Sequence, residues 1–293
     1  MATCGTIARA LGDVSAARAV ATWVLAHPEV PGAHRVVRAD GRPVLRSAHG
    51  PLRTDGVPPP GDRADASRFE EALPDIGLLR RFRGDQERLS RGIVEEGDPG
   101  ALETVGGVDA AYVGEHAHVA AVVCDAESLE PRETAVADVA VEFPYIPTYL
   151  AYRELPPIEE AFSRLRTRPD VLLIDGHGRL HPALFGIACL AGLRLGLPTI
   201  GVAKHPLRGR PAPGRRRRDG AIPLEIDGVV RGYAWRPPRG SRPLYVSVGH
   251  GLSLDAALRI VRETTRDRHP EPLRIADLLA KKRKDVKNGK GGS

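Results

Sequence analysis

Two aspartates stand in settings where a carboxylate can do chemistry. Val171-Leu172-Leu173-Ile174 is an unbroken aliphatic run that ends in Asp175, followed by Gly176-His177-Gly178. Such a run reads as a strand buried on both faces. A charge at the carboxyl end of a central strand lies where open α/β sheets hold their ligands, and the glycines leave room for close backbone approach. The plain alternative is a surface turn whose Asp175 caps a helix starting near Pro182. Asp109 falls inside another strand-like stretch, Val105-Gly106-Gly107-Val108-Asp109-Ala110-Ala111-Tyr112. If the two strands are neighbours their carboxylates converge, at a cost of several kcal/mol in repulsion and desolvation. A hard divalent ion, Mg²⁺ or Mn²⁺, removes that conflict, activates a water and neutralises charge developing on a phosphate. Two aspartates that never meet are the alternative.

A third piece is Phe143-Pro144-Tyr145-Ile146-Pro147, followed by Tyr152-Arg153-Glu154. Prolines on both sides hold Tyr145-Ile146 in a rigid turn. An aromatic fixed there can wedge into a base stack, a contact worth about 1–3 kcal/mol; a braced turn packing its own tyrosine is the bland reading. Glu154 follows on a helix, pointing either to solvent or into the carboxylates.

The elements that must position these residues come in a definite order. Strands are expected at 105–113, 117–124 and 133–141, a helix at 148–166, a strand at 171–175, a helix at 182–195 and a strand at 198–202. Further strands at 222–227, 229–235 and 244–248 precede a helix at 253–265. Three successive strands followed by alternation with helices imply an α/β domain with a mixed sheet and flanking helices. That is the order of ribonuclease H-like nucleases, in which the strands of Asp109 and Asp175 are central neighbours. Upstream, a charged amphipathic helix is expected at 78–95, and breakers such as Val57-Pro58-Pro59-Pro60-Gly61-Asp62 and Leu73-Pro74-Asp75 place a domain boundary near 74.

The whole chain has 293 residues, 42% hydrophobic and 27% charged, ordinary for a globular protein. No apolar run is as long as a membrane span, and the amino terminus lacks the apolar core of a secretory signal. Cys4, Cys124 and Cys189 have no metal-type spacing. These features imply a reducing, cytoplasmic setting, no membrane and no structural zinc. Net charge is +6, with Arg215–Arg218 in one run and Lys281, Lys282, Arg283, Lys284 and Lys287 near the end. Such an excess favours a polyanionic partner, nucleic acid first, over the alternative of a merely solvated basic surface. Residues 281–293 are expected to be a disordered basic tail.

In residues 1–73, a helix at 6–11, a turn at 12–15 and a helix at 16–25 make a helix-turn-helix candidate. The segment after it, Pro31 and then His34-Arg35-Val36-Val37-Arg38-Ala39-Asp40-Gly41-Arg42, resembles the active-site loop of alkylguanine-DNA alkyltransferases. The resemblance covers about residues 3–70 and implies a small winged helix-turn-helix module, with Arg18 where an arginine fills the stack behind a flipped base. Ala33 stands where that family carries its acceptor cysteine. Without a thiolate nothing can take an alkyl group, so the module is expected to bind alkylated bases without repairing them. Cys4 replaces a tyrosine that contacts phosphate in the family.

Over about 76–280 the chain resembles endonuclease V, the deoxyinosine 3′-endonuclease. The resemblance is carried by Gly107-Val108-Asp109, Phe143 to Pro147, Arg153-Glu154, Asp175-Gly176-His177-Gly178 and His181-Pro182. It continues through Pro198-Thr199-Ile200-Gly201-Val202-Ala203-Lys204, Ser247-Val248-Gly249-His250 and Pro270-Glu271-Pro272-Leu273-Arg274. It implies Asp109, Asp175 and Glu154 as ligands of Mg²⁺, with Mn²⁺ as a substitute, and Lys204 and His250 near the scissile phosphate or its water. Tyr145 would be the wedge, with Pro144, Ile146, Pro147, Arg153 and His181 as further DNA contacts, beside Arg18 of the amino-terminal module. Four positions depart from the family pattern: Thr148 for a glycine, Tyr152 for a phenylalanine, Ala183 for an arginine and Leu190 for a histidine.

The expected activity is hydrolysis of the second phosphodiester bond 3′ to deoxyinosine in DNA, with deaminated and alkylated bases as the partner lesions. The alternatives are an inosine-specific ribonuclease and a non-catalytic lesion-binding protein.

Overall fold

The computed structural model describes residues 1–48, 63–64, 67, 69, 72–213, 217 and 219–287. The 57–62 breaker segment, Arg215, Arg216, Arg218 and residues 288–293 therefore lie outside the described residues. The chain divides into two compact units: Met1–Asp85 with Pro144–Pro147, and Gln86–Phe143 with Thr148–Ser293.

The first unit opens on β1 (Ala2–Thr3) and α1 (Cys4–Leu11), whose N-cap Thr3 accepts from the Thr6 N–H. Gly12 ends α1 at φ 105°, a left-handed residue suited to glycine. After a short turn comes α2 (Ala17–Ala26), and β2 (Val36–Val37) pairs in parallel with β1. Among the described residues β1 and β2 are this unit's only strands, so the expected wing is not seen among them. Cys4, Val24, Ala33, Val36, Val44 and Leu45 make its apolar core. The boundary between the units falls within helix α3 (Leu78–Ser90), which stops before Gly92 rather than reaching 95.

The second unit is built on a sheet of nine strands. In chain order these are β3 (Thr104–Val113), β4 (His116–Asp125), β5 (Pro131–Ala140), β6 (Val171–Asp175), β7 (Thr199–Ala203), β8 (Arg210–Pro211), β9 (Ile222–Ile226), β10 (Val229–Trp235) and β11 (Leu244–His250). Across the sheet they run β5-β4-β3-β6-β7-β11-β10-β9-β8. The centre, β3-β6-β7, is parallel, and every other pairing is antiparallel. One face packs on α4 (Leu150–Ser163) and α5 (Ile187–Leu195) through Val108, Leu172, Ile174, Ile158 and Phe185. The other packs on α6 (Leu254–Glu263) and the start of α7 (Glu271–Lys287) through Val105, Val171, Leu173, Val202, Leu258 and Leu273. Strands buried on both faces need no alternation, which is why β6 is wholly aliphatic until Asp175. Among the described residues no helix is long and apolar enough to cross a membrane.

Three expected boundaries move. The tail expected from 281 is helical through Lys287, because Leu273, Ala276 and Ala280 bury one face of α7. Helix α5 starts at Ile187 rather than 182, since Gly186 backs directly onto the His177 carbonyl and holds 182–186 out of the helix. Helix α4 starts at Leu150 because Thr148 adopts φ 70°. A glycine would take that conformation freely, and a β-branched residue there costs about 1–3 kcal/mol. The departure from glycine at 148 is thus a strained position. Thr148→Gly is expected to raise stability by about 1 kcal/mol after the entropy of glycine is counted, read from the urea midpoint at constant slope. A lower midpoint would show that the threonine side chain compensates for its backbone.

Candidate functional site

Register brings the two aspartates together. Along the β3/β6 ladder Val105 pairs with Val171 and Val108 with Ile174, so the next step sets Asp109 level with Asp175. Adjacent strands lie about 4.8 Å apart, and residues level across a parallel ladder point to one face. Asp175 in turn pairs with Val202 of β7, and two residues on, Lys204 stands on that same face with its ammonium bound to the Asp175 carboxylate. Helix α7 closes over them, and Gly107 lets it approach. A Cβ on that glycine would sit 2.4 Å from the Pro272 backbone carbon.

This approach delivers a carboxylate absent from the sequence-based set, Asp277. It lines a cavity of about 300 Å³ together with Asp109, Asp175, Lys204, His269 and Lys281. Asp277 is paired with Lys281 at 2.8 Å, and its carboxylate acts on that of Asp109 across the cavity. Glu154 comes from α4 on the opposite side of the sheet and feels both Asp175 and Asp109.

The electrostatics follow from crowding acids into a partly dry site. Burial, then Asp175, raise Asp109 to about 8, against the pull of Lys204. Glu154 is likewise raised to about 8 by burial, then by Asp175 and Asp109. Burial works against the charge of Lys204, yet Asp175, Asp109 and Asp277 together leave it above its ordinary value. His177 donates from Nε2 to the His205 carbonyl at 3.0 Å, and burial lowers it to about 4, so its ring is neutral.

The acids supply oxygen donors and a strongly anionic setting, with the His269 imidazole also in the lining, which suits a hard divalent ion held by one or two carboxylates and several waters. Among the described residues no three acidic, cysteine or histidine side chains stand grouped so as to hold a metal ion, and Lys204 and Lys281 are drawn onto two of the acids. The two ammonium groups supply the positive charge that such an ion would bring.

Several expected contacts stand elsewhere. His250 is set beside Thr199 by the antiparallel β7/β11 ladder, whereas Lys204 follows the other end of β7, so His250 does not join the carboxylates. Its Nδ1 accepts from the Val94 N–H at 3.3 Å. Arg153 is buried, donating to the Phe143 carbonyl at 2.5 Å and the Gly114 carbonyl at 3.4 Å, with its guanidinium 4.7 Å above the Tyr112 ring. It pins strand ends rather than facing a ligand. His181 is also buried: Nδ1 accepts from the Ala183 N–H, and Nε2 donates to the Thr148 carbonyl at 2.9 Å. In the turn, Ile146 is buried, Tyr145 is 60% exposed, and Pro144 and Pro147 are half-buried. Arg18 is exposed on α2. Ala183 and Leu190 lie in the apolar layer beneath α4 and α5, surroundings into which an arginine or histidine would bring an unpaired polar group.

Comparison with known proteins agrees with this layout. The Endonuclease V family model matches residues 87–278. Endonuclease V of Thermofilum pendens is 42% identical over 211 residues, which cover 71% of this chain and 90% of that protein. The crystal structure of endonuclease V from Streptomyces avermitilis superposes with a TM-score of 0.65 at 37% identity, covering 72% of this chain and 93% of its own. That of Ciona intestinalis endonuclease V, in complex with a 24mer DNA containing an inosine followed by a ribo-adenosine, superposes at 0.63 with 29% identity and coverages of 72% and 98%. With a mixed sheet, converging acids and relatives matched over most of their length, the chain belongs to the endonuclease V family.

Proposed function

We propose that residues of about 76–280 form a divalent-metal-dependent endodeoxyribonuclease of ribonuclease H-like fold. It hydrolyses the second phosphodiester bond on the 3′ side of deoxyinosine, as a cytoplasmic DNA-repair enzyme. The observation that carries this reading is the convergence of Asp109, Asp175 and Glu154, with Asp109 and Glu154 each raised to about 8 by burial and then by Asp175. Asp109 and Asp175, with Glu154 behind them, would hold Mg²⁺ or Mn²⁺. That ion supplies Lewis acidity toward the phosphate and a water of lowered pKa. Lys204, leaving Asp175, can face a non-bridging phosphate oxygen. Tyr145, exposed between its prolines, serves as the wedge behind an extruded base.

The test is cleavage of matched DNA and RNA oligonucleotides, each with one inosine. Cutting of inosine DNA in Mg²⁺, lost on chelation, is the expected result. Tyr145→Ala should cost more on duplex than on single-stranded substrate, and equal losses would return Tyr145 to a packing role. A ribonuclease reading is kept because the DNA bound by the Ciona relative carries a ribo-adenosine after its inosine. Preferential cutting of the RNA would establish it.

For residues 1–73 we propose an alkyltransferase-like module that binds DNA carrying alkylated bases. Ala33 is buried where a nucleophile is required, and burial pushes the Cys4 thiol above its ordinary value, leaving little thiolate. The intact protein incubated with methylguanine DNA should gain no methyl mass while preferring that DNA over the normal duplex. Binding should fall with Arg18→Ala and with salt. A covalent methyl adduct would overturn this assignment, and absence of any preference would reduce the module to a general DNA clamp.

A further inference from the structure

One charged group in the carboxylate cavity has no part in the hydrolysis as proposed. Lys281 lies one helical turn beyond Asp277 on α7, its Nζ 2.8 Å from Asp277 Oδ2, and it lines the same cavity as Asp109, Asp175 and Lys204. Two acids of the cavity are thus each matched by an ammonium: Asp175 by Lys204 and Asp277 by Lys281. Lys281 is more than half exposed, so its flexible stem can carry the charge off Asp277 without disturbing the helix.

An ion entering beside Asp109 and Asp175 meets Asp277 as well, because all three carboxylates line the same cavity. It therefore competes with Lys281 for the same oxygens. A divalent ion and an ammonium a few ångströms apart repel even across water, and the repulsion grows as the site dries. We infer that Lys281 is a resident counter-cation that sets the divalent-ion affinity of the site, holding Asp277 while no ion is bound and releasing it on binding. The inference rests on the metal reading of this site. An ordinary pair of charges four residues apart on a helix surface, worth a few tenths of a kcal/mol, would leave ion binding unchanged.

The experiment titrates full-length, metal-free protein with Mn²⁺ in the absence of DNA and reads free Mn²⁺ by electron paramagnetic resonance. Lys281→Met keeps the stem and removes the charge, and should tighten Mn²⁺ binding on the order of threefold to tenfold, less at high salt. Lys281→Arg keeps the charge and should bind like the wild type. Asp109→Asn should weaken binding and so marks the site being read. If Lys281→Met binds Mn²⁺ no more tightly than wild type while Asp109→Asn still weakens it, the counter-cation role is overturned and the metal site stands. If the wild type shows no saturable Mn²⁺ binding, both are overturned.

Discussion

Asp109→Asn should lose nicking by about 10³-fold or more in Mg²⁺, because Lewis-acid stabilisation of several kcal/mol depends on that carboxylate and each 1.36 kcal/mol is tenfold. The same change should stabilise the metal-free protein at alkaline pH. In the wild type, Asp109 and Glu154 keep their protons in the folded state up to about 8, whereas an unfolded chain loses them near the ordinary carboxylate range. Between those limits the folded state binds more protons, so wild-type stability without metal falls as pH rises and levels off above about 8. Asp109→Asn removes one of the two groups and should flatten that slope. Thermal melts in chelator at pH 6 and pH 9, beside nicking assays in Mg²⁺, read both effects. Undiminished nicking would sink the assignment of Asp109, and loss of activity with a lower melting point at pH 9 would point to a damaged fold.

Gly178→Ala is expected to have the largest effect on stability. A Cβ there would lie 2.0 Å from the Val248 carbonyl oxygen and 2.6 Å from its carbon, both backbone atoms that cannot turn aside. Either β11 shifts or the loop after Asp175 lifts away, costing roughly 3 kcal/mol or more. For a chain of this size that lowers the melting temperature by about 10 °C. Gly84 in α3 has nothing within 4 Å of its missing Cβ, and its replacement by alanine should stabilise by about 1 kcal/mol. Equal behaviour of the two variants in thermal melts would show that the tight packing at Gly178 is relieved in solution.

The pairing of Asp109 with Asp175 was legible because a strand buried on both faces declares itself by an aliphatic run, and a charge breaking that run needs a reason. The missed and misplaced residues fail for identifiable causes. His250 ends β11, the neighbour of β7, but sequence pattern does not reveal that β11 runs antiparallel to β7, which sends its last residue to the opposite end of that strand from Lys204. Arg153 and His181 sit beside site residues in the chain, yet backbone carbonyls that only the fold brings near use up their donors. Asp277 was missed because no element was expected between the helix ending at 265 and the tail at 281, so nothing in the pattern placed that residue against the sheet, where the buried Leu273, Ala276 and Ala280 of α7 set it. The left-handed backbone at Thr148 was visible only as a missing glycine.

That a cavity acid rides on α7 gives the site an order of assembly in time. Asp109 is synthesised 168 residues ahead of Asp277, an interval of roughly 10–30 s at ordinary elongation rates. Until α7 has been made and has docked on Gly107, the pocket lacks one wall, Asp277 and its partner Lys281. A ribosome-bound chain arrested before that point would therefore carry Asp109 and Asp175 on an open sheet. The acids of this cavity are thus brought together only after translation has passed α7, well after both central strands have been made.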